Sequence, residues 1–404
     1  MIARIAFRNL FRQKRRSALT LLTMAGGFVL CAVSIGVADG TYSGLIDMFT
    51  RDRVGHIQIH RTGYLDKASL YNTLTNTGAL GATLSAQPDV VAWAPRVRSA
   101  ALSTLANKTS GAQLIGISPA LEPQTTRIKH KVSAGRFLSD APLNEVMLGS
   151  GLARILKAGL NDEIVLITQA ADGAIANDLF RVVGLAGKPD DPSERMTCYM
   201  HISTAQQFLA LDGRVHEIAI VLTDQSLAQS TAQRIQTVLN DTTIDVAPWQ
   251  TVERQFYQAM KTDLEGMNIS LSIIMVIVGI GVLNTVLMTI LERTREFGVL
   301  RALGTRPREV IKLILFETAF LSILSIILGT ALSLLGNGLL AQYGITYPEP
   351  IEYGGMVFDR MIAKNTFQTI WVPSVLTLGT AVVVSIFPAL HAARITPTRA
   401  MRTH

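Results

Sequence analysis

Residues Leu291 to Gly304 read LERTREFGVLRALG and lie between two apolar runs, Leu271 to Ile290 and Ile311 to Leu340. Leu291, Phe297, Val299, Leu300 and Leu303 recur at roughly helical spacing, while Glu292, Arg293, Arg295, Glu296 and Arg301 take the other face. A bare loop between two membrane spans needs no such patterning. The segment reads as a short amphipathic helix, pinned at both ends, that offers one surface to a protein partner.

Outward from this segment, the apolar residues, 49% of the chain, gather into four runs separated by a long polar block. The runs are spans at 18–38, 270–291, 311–340 and 371–390; three are about as long as the roughly 20 residues that cross a bilayer core, and the third is long enough to tilt, kink or extend beyond it. The remaining segments follow from them. Residues 1–17 are an amphipathic amino-terminal segment, 39–269 a large water-exposed domain with helical stalks, 292–310 the partner-facing helix and loop, 341–370 an outer loop and 391–404 a tail. A cleaved signal peptide is the weaker reading of 18–38, because the apolar run exceeds the usual length of such a core.

Charge sets the orientation. Arg4, Arg8, Arg12, Lys14, Arg15 and Arg16 precede the first span, Arg293, Arg295, Arg301, Arg306, Arg308 and Lys312 flank the second and third, and Arg394, Arg399 and Arg402 follow the fourth. With four spans all three clusters share one side, which the positive-inside rule makes cytoplasmic, together with both termini. Residues 39–269 carry 20 Lys and Arg against 23 Asp and Glu, so the formal charge of +7 belongs to the edges of the spans. Nucleic-acid binding is a poor explanation of that charge.

Within 39–269, strands are read at Val90–Val97, Ala112–Ile117, Glu145–Leu148, Glu163–Thr168, Phe180–Ala186, His216–Leu222 and Thr243–Val246. Helices are read at Ser150–Lys157, Ser203–Leu211 and Ser226–Leu239, with Ser150, Ser203 and Ser226 as caps. The domain is α+β, with Asp172 and Gly173 at a hairpin tip that could meet a partner. Asp39–Phe49 and Glu253–Asn268 are helix-compatible and read as continuations of the first and second spans. Cys31 lies in a span and Cys198 in the domain, so they do not pair.

Several chemistries are missing. Gly184-Leu-Ala-Gly187-Lys188-Pro189 has the wrong spacing for a phosphate loop, and a proline where the hydroxyl is needed. The histidines form no HExxH, and His56 and His60 alternate with Ile57 and Ile59 as in a strand rather than a metal site. No catalytic residue, metal or cofactor is expected in this chain. Inside the spans, Asn284 and Glu317 are costly unless they face protein, and both are read as interhelical hydrogen-bonding groups. Gly36, Gly40 and Gly44 repeat at GxxxG spacing, with Gly36 and Gly40 the sites for close helix packing.

Three stretches carry a family resemblance: AFRNLFRQKRRSALT from Ala6, the block from Asn284 through LERTREFGVLRALGTRPREV, and FPALHAARITPTRAMR from Phe387 to Arg402. The chain resembles the FtsX-like permeases of the kind found in MacB and in the lipoprotein-release permeases LolC and LolE. The resemblance implies an α-helical membrane protein of four transmembrane helices, with a large MacB-like α+β periplasmic domain between spans 1 and 2, in a bacterial inner membrane. It implies that Glu292, Arg293, Arg295, Glu296, Phe297, Gly298, Leu300, Arg301 and Gly304 form a coupling helix seated on a separate ABC ATPase subunit. That subunit would bind ATP and Mg. A second permease protomer, identical or paralogous, and membrane lipids are further implied partners. The implied work is extraction of a lipoprotein or another amphiphile, with FtsX-like signalling to a periplasmic enzyme and MacB-like efflux, which needs a periplasmic adaptor, as alternatives. The hairpin from Thr168 to Phe180 departs from LolC: it is short, with no apolar, proline-bearing hook to recruit a chaperone.

Overall fold

A computed structural model describes residues 2–10, 12, 14–189, 191–353 and 356–394. The chain opens with α1 (Ile2–Leu10) and the long α2 (Lys14–Phe49), ending in a π-turn at Thr50–Val54. The inserted domain follows with β1 (Ile57–Arg61), α3 (Thr77–Ser85), β2 (Val90–Leu105), β3 (Lys108–Ile117), α4 (Glu122–Thr125), β4 (Val132–Gly135), β5 (Glu145–Gly149) and α5 (Ser150–Leu156). It continues with β6 (Glu163–Gln169), β7 (Ile175–Ala186), β8 (Thr197–His201), α6 (Ile202–Phe208), β9 (Glu217–Leu222), α7 (Ala228–Leu239), β10 (Ile244–Pro248) and α8 (Trp249–Val252). The chain then forms α9 (Arg254–Glu292), α10 (Thr294–Ala302), α11 (Pro307–Tyr343), the paired strands β11 (Ile345–Tyr353) and β12 (Met356–Met361), and α12 (Phe367–Ala393). Two compact units result: 44–259 with 348–359, and the remainder.

In the membrane unit each of the four apolar runs falls inside one helix, α2, α9, α11 or α12. Val278, Val282, Val286 and Ile290 repeat every four residues along α9 and enter one core with Met24, Phe297, Val310, Leu313, Ile314 and Ala389. Small residues let the helices close up, since apolar packing against lipid gives no hydrophobic drive. A methyl group on Gly27 would stand 2.2 Å from Val278, on Gly329 2.6 Å from Phe28, on Gly36 2.5 Å from Asn337, and on Gly40 2.3 Å from the carbonyl oxygen of Ile362. Along α11, Thr318, Ser322, Ser325, Gly329, Ser333 and Asn337 form one buried stripe. Ser325 Oγ donates to the Leu21 carbonyl at 3.1 Å, and Asn337 Nδ2 to that of Ala32 at 3.4 Å. Asn284, by contrast, is exposed, and no hydrogen bond joins it to another helix among the described residues. The asparagine that bonds across helices is Asn337, because its position shares the stripe of small residues whereas 284 falls off the α9 core repeat.

The inserted domain is built on one ten-stranded sheet, ordered β10-β1-β9-β2-β3-β8-β5-β7-β4, with β6 bridging β2 and β7. β9 is buried at all six positions and sits between β1 and β2, as its apolar run EIAIVL requires. Ala228, Thr231, Ala232 and Ile235 form the buried face of α7. Gln236 fastens that helix to β10 by donating to the Ile244 carbonyl and accepting from the Val246 amide, both at 2.8 Å. The strand at Val90 extends to Leu105 and turns at Ala106 into β3, and β4, β8 and α3 have no counterpart in the sequence reading.

The predicted caps need correction. His201 Nδ1 accepts the Ser203 amide at 3.1 Å and Asp224 Oδ1 the Ser226 amide at 2.8 Å, so the capping acceptor lies two residues before each serine. Ser150 opens α5 but turns its hydroxyl to the Gly187 carbonyl at 2.7 Å instead of capping. The hairpin tip at Asp172–Gly173 is a tight turn: Asp172 Oδ1 accepts the Ala174 amide at 3.0 Å, and Gly173 takes φ +87°, which favours glycine. The tip is also tied down by the Ala171 amide donating to Leu209 at 2.9 Å. Cys31 and Cys198 are both buried free thiols. The tail beyond Arg394, with Arg399 and Arg402, lies outside the described residues.

A buried charge network crosses β2 and β9. Arg96 bonds Glu122 at 2.6 Å and Glu217 at 3.2 Å, and Arg98 meets Glu217 at 2.8 Å. Burial pushes the Glu217 carboxyl up, but Arg98 and Arg96 overcome it and hold the group down at about 2. Burial, reinforced by Arg51, lowers His56 to about 4. Below the ordinary histidine value the unfolded chain protonates at His56 while the folded one resists. Below the ordinary carboxylate value the unfolded chain likewise binds the proton that folded Glu217 refuses. Both effects remove stability as pH falls, first from about 6.5 toward 4 and then from about 4.5 toward 2. Near-ultraviolet circular dichroism of thermal unfolding should show this two-stage acid loss, and Glu217→Ala should cost about 3 kcal/mol at neutral pH by stranding buried cations.

Candidate functional site

The segment between the second and third membrane helices is a compact corner. α9 ends at Glu292, Arg293 leaves the helical region at φ −98° and ψ 15°, and α10 restarts at Thr294. Gly304 ends the corner at φ +92°, a conformation that favours glycine, and the Glu309 carboxylate accepts the Arg306 amide at 2.9 Å to open α11.

Arg293 holds the corner together. Its Nη1 donates to both oxygens of Glu317 at 3.1 Å, its Nε donates to Glu296 at 2.9 Å, and its guanidinium lies 5.2 Å over the Phe297 ring. The two side chains are only 12% and 14% exposed, so each charge depends on the other. Glu317 also accepts from Asn9 Nδ2 at 2.5 Å, which brings α1 to the same carboxylate. Arg12 pairs with Glu296 at 3.0 Å, Arg16 pairs with Glu292, and Phe7 of α1 packs edge-on against Phe320. A cavity of about 50 Å³ beside Asn9, Arg16, Arg293 and Glu317 has room for an ordered water or two.

This arrangement divides the residues read from the sequence. Phe297 and Gly298 are buried in the chain's own core, and Leu300 packs against it. Glu292, Arg293 and Glu296 are held by partners within the chain, and Arg301 donates to the Thr305 carbonyl at 3.2 Å. The outward face is Arg295, Val299, Leu303 and Gly304, with Val299 46% and Leu303 79% exposed. The apolar residues thus split between two faces instead of sharing one. The sequence reading missed Asn9, Arg12 and Arg16 as parts of the corner, because they come from the end of α1, the turn after it and the start of α2, a break that the run AFRNLFRQKRR does not announce.

The model of the MacB-like periplasmic core domain matches residues 17–238, and that of the FtsX-like permease C-terminal region matches residues 268–397, which contain the corner. Over an alignment of 413 residues the chain is 24% identical to the lipoprotein-releasing system transmembrane protein LolC of Neisseria meningitidis, covering 98% of both. It is 23% identical to the macrolide export ATP-binding/permease protein MacB of Pasteurella multocida over 98% of this chain and 59% of that one, so it spans about three fifths of that relative's length. The solved periplasmic region of MacB from Actinobacillus actinomycetemcomitans aligns at a TM-score of 0.37 and 17% identity, over 50% of this chain and 92% of that one.

A double-mutant cycle tests the ion pair. Arg293→Ala and Glu317→Ala should each lower stability to unfolding in mixed micelles, and the double variant should lose about 2 kcal/mol less than the sum of the two. Strict additivity would show that the pair carries no coupling.

Proposed function

The chain belongs to the FtsX-like permeases with a MacB-like periplasmic core domain, and on that premise we propose that it is the non-catalytic membrane subunit of an ABC transporter whose ATP and Mg are bound by a separate ATPase subunit. The observation that carries the reading is the α10 corner. Its inner face is locked to α1 and α11 through Arg293 and Glu317, and its outer face leaves Arg295, Val299 and Leu303 open. A partner that seats on that face moves α9 and α11 together, because Arg293, at the end of α9, is paired with Glu317 of α11. The positive-inside rule puts this corner, the exposed arginines of α1 and both termini in the cytoplasm of a bacterial inner membrane.

The work done is extraction or transport of a lipoprotein or another amphiphile by two permease protomers. The exposed leucines and isoleucines of α2 and α9, among them Leu19, Leu22, Ile273 and Ile277, supply apolar faces for lipid or for such a client. The short hairpin tip, bonded back to its own domain, favours a route that needs no chaperone-recruiting hook and lends support to MacB-like efflux as the second reading.

The coupling assignment is tested on the outward face, since Glu296 and Gly298 variants would disturb the chain's own packing. With the ATPase co-expressed, Val299→Arg and Leu303→Arg should cut its co-purification at least about tenfold and leave insertion and thermal stability unchanged. Undiminished co-purification in both would sink the assignment. Mass spectrometry of the native complex then identifies the client: a bound lipoprotein or lipid supports extraction, and a periplasmic hydrolase in its place contradicts it.

A further inference from the structure

The inserted domain contains a cavity of about 980 Å³, walled by the π-turn at Thr50–Val54, the loop after β1, the β2–β3 hairpin and β8. Its size lies at the upper end of sites that take small organic ligands. Seven charged residues line it, four carboxylates and three cations, and the three cations are each matched. Arg53 meets Glu253 at 2.5 Å, Arg98 meets Glu217 at 2.8 Å, and Lys131 meets Glu194 at 3.2 Å. Asp52 is the carboxylate left over. Its Oδ1 is buried without a hydrogen bond, and the Arg127 guanidinium stands 3.7 Å away, already bonded to Asp47.

The rest of the lining is neutral. His60 is buried and stacks on Tyr64 at 4.9 Å, and burial lowers its pKa, so it adds no positive charge at neutral pH. Its Nδ1 is a second buried polar atom without a partner. Leu65, Leu70, Ile115 and Met196 supply the apolar wall. Burial raises the Asp52 carboxyl against the pull of Lys131 and Arg127, as befits a carboxylate short of partners. A half-buried carboxylate whose inner oxygen accepts no hydrogen bond, and whose ion pair is as long as 3.7 Å, gains from a cation that reaches it from the cavity.

We propose that this cavity binds an amphiphilic organic cation, its ammonium group against Asp52 and its apolar body along the wall of Leu65, Leu70, Ile115 and Met196. No residue of the site belongs to the α10 corner.

The test uses the full chain in lipid nanodiscs, with empty nanodiscs as control, and ligand-observed saturation-transfer NMR. Three matched probes differ only in head group: 4-phenylbutylamine, 4-phenylbutanoate and 4-phenylbutanol. The amine should bind at least about tenfold tighter than the other two. Asp52→Asn should remove that preference and leave the alcohol unchanged, and Ala68→Trp, which fills the cavity from an exposed position of its lining, should weaken all three probes. Equal binding of the anion, or amine binding indifferent to Ala68→Trp, overturns the proposal. Should Asp52→Asn fail to fold, the probe preference of the wild-type chain and the Ala68→Trp variant decide it.

Discussion

The membrane unit depends on one requirement: a carboxylate in a membrane helix, Glu317, must be neutralised where it stands. An isolated charge near hydrocarbon is costly, so Glu317 is stable only while Arg293 faces it and Asn9 donates to it. Meeting that demand fixes three things together. The end of α9 bends at Arg293, α10 is laid down with Phe297 inward under the guanidinium, and α1 is drawn onto α11. The open face of α10 is what remains after these contacts are made.

The inserted domain solves its charge problem differently. Arg96 is enclosed by Glu122, Glu217 and the Arg53 carbonyl, so each of the three nitrogens of a buried cation donates to an acceptor. Around the neighbouring cavity the pairing is looser at Asp52, whose Oδ1 accepts no hydrogen bond and meets Arg127 only at 3.7 Å.

Much of this was legible in the sequence for a simple reason: spans are written in runs of apolar residues, and the polar face of α10 is written in charges. Gly36 and Gly40 were legible as packing sites because a GxxxG spacing maps directly onto one helix face. What failed was the direction of side chains. Phe297 and Val299 sit two residues apart in an amphipathic pattern, and only the location of Arg293 and Glu317, 24 residues apart, decides which of them turns inward. Asn284 stands out in an apolar run, whereas Asn337 is masked in the sequence by small polar neighbours that share its buried stripe. The caps failed by two residues, since the acceptors are His201 and Asp224 and serine is merely the commoner capping residue. Strands β4 and β8 were missed because each is short, and each is defined by pairing with distant strands.

The central claim is that α10 turns Val299 and Leu303 toward a partner and keeps Phe297 and Gly298 for itself. Photo-crosslinking decides it directly, with p-benzoylphenylalanine placed at 297, 299 or 303 in the full chain co-expressed with the proposed ATPase partner. Crosslinks to the ATPase at 299 and 303, and none at 297, are the result the proposed coupling predicts. A crosslink to the ATPase from 297, with none from 299 or 303, would show that the helix docks by the opposite face and that the Arg293–Glu317 anchor is not what orients it.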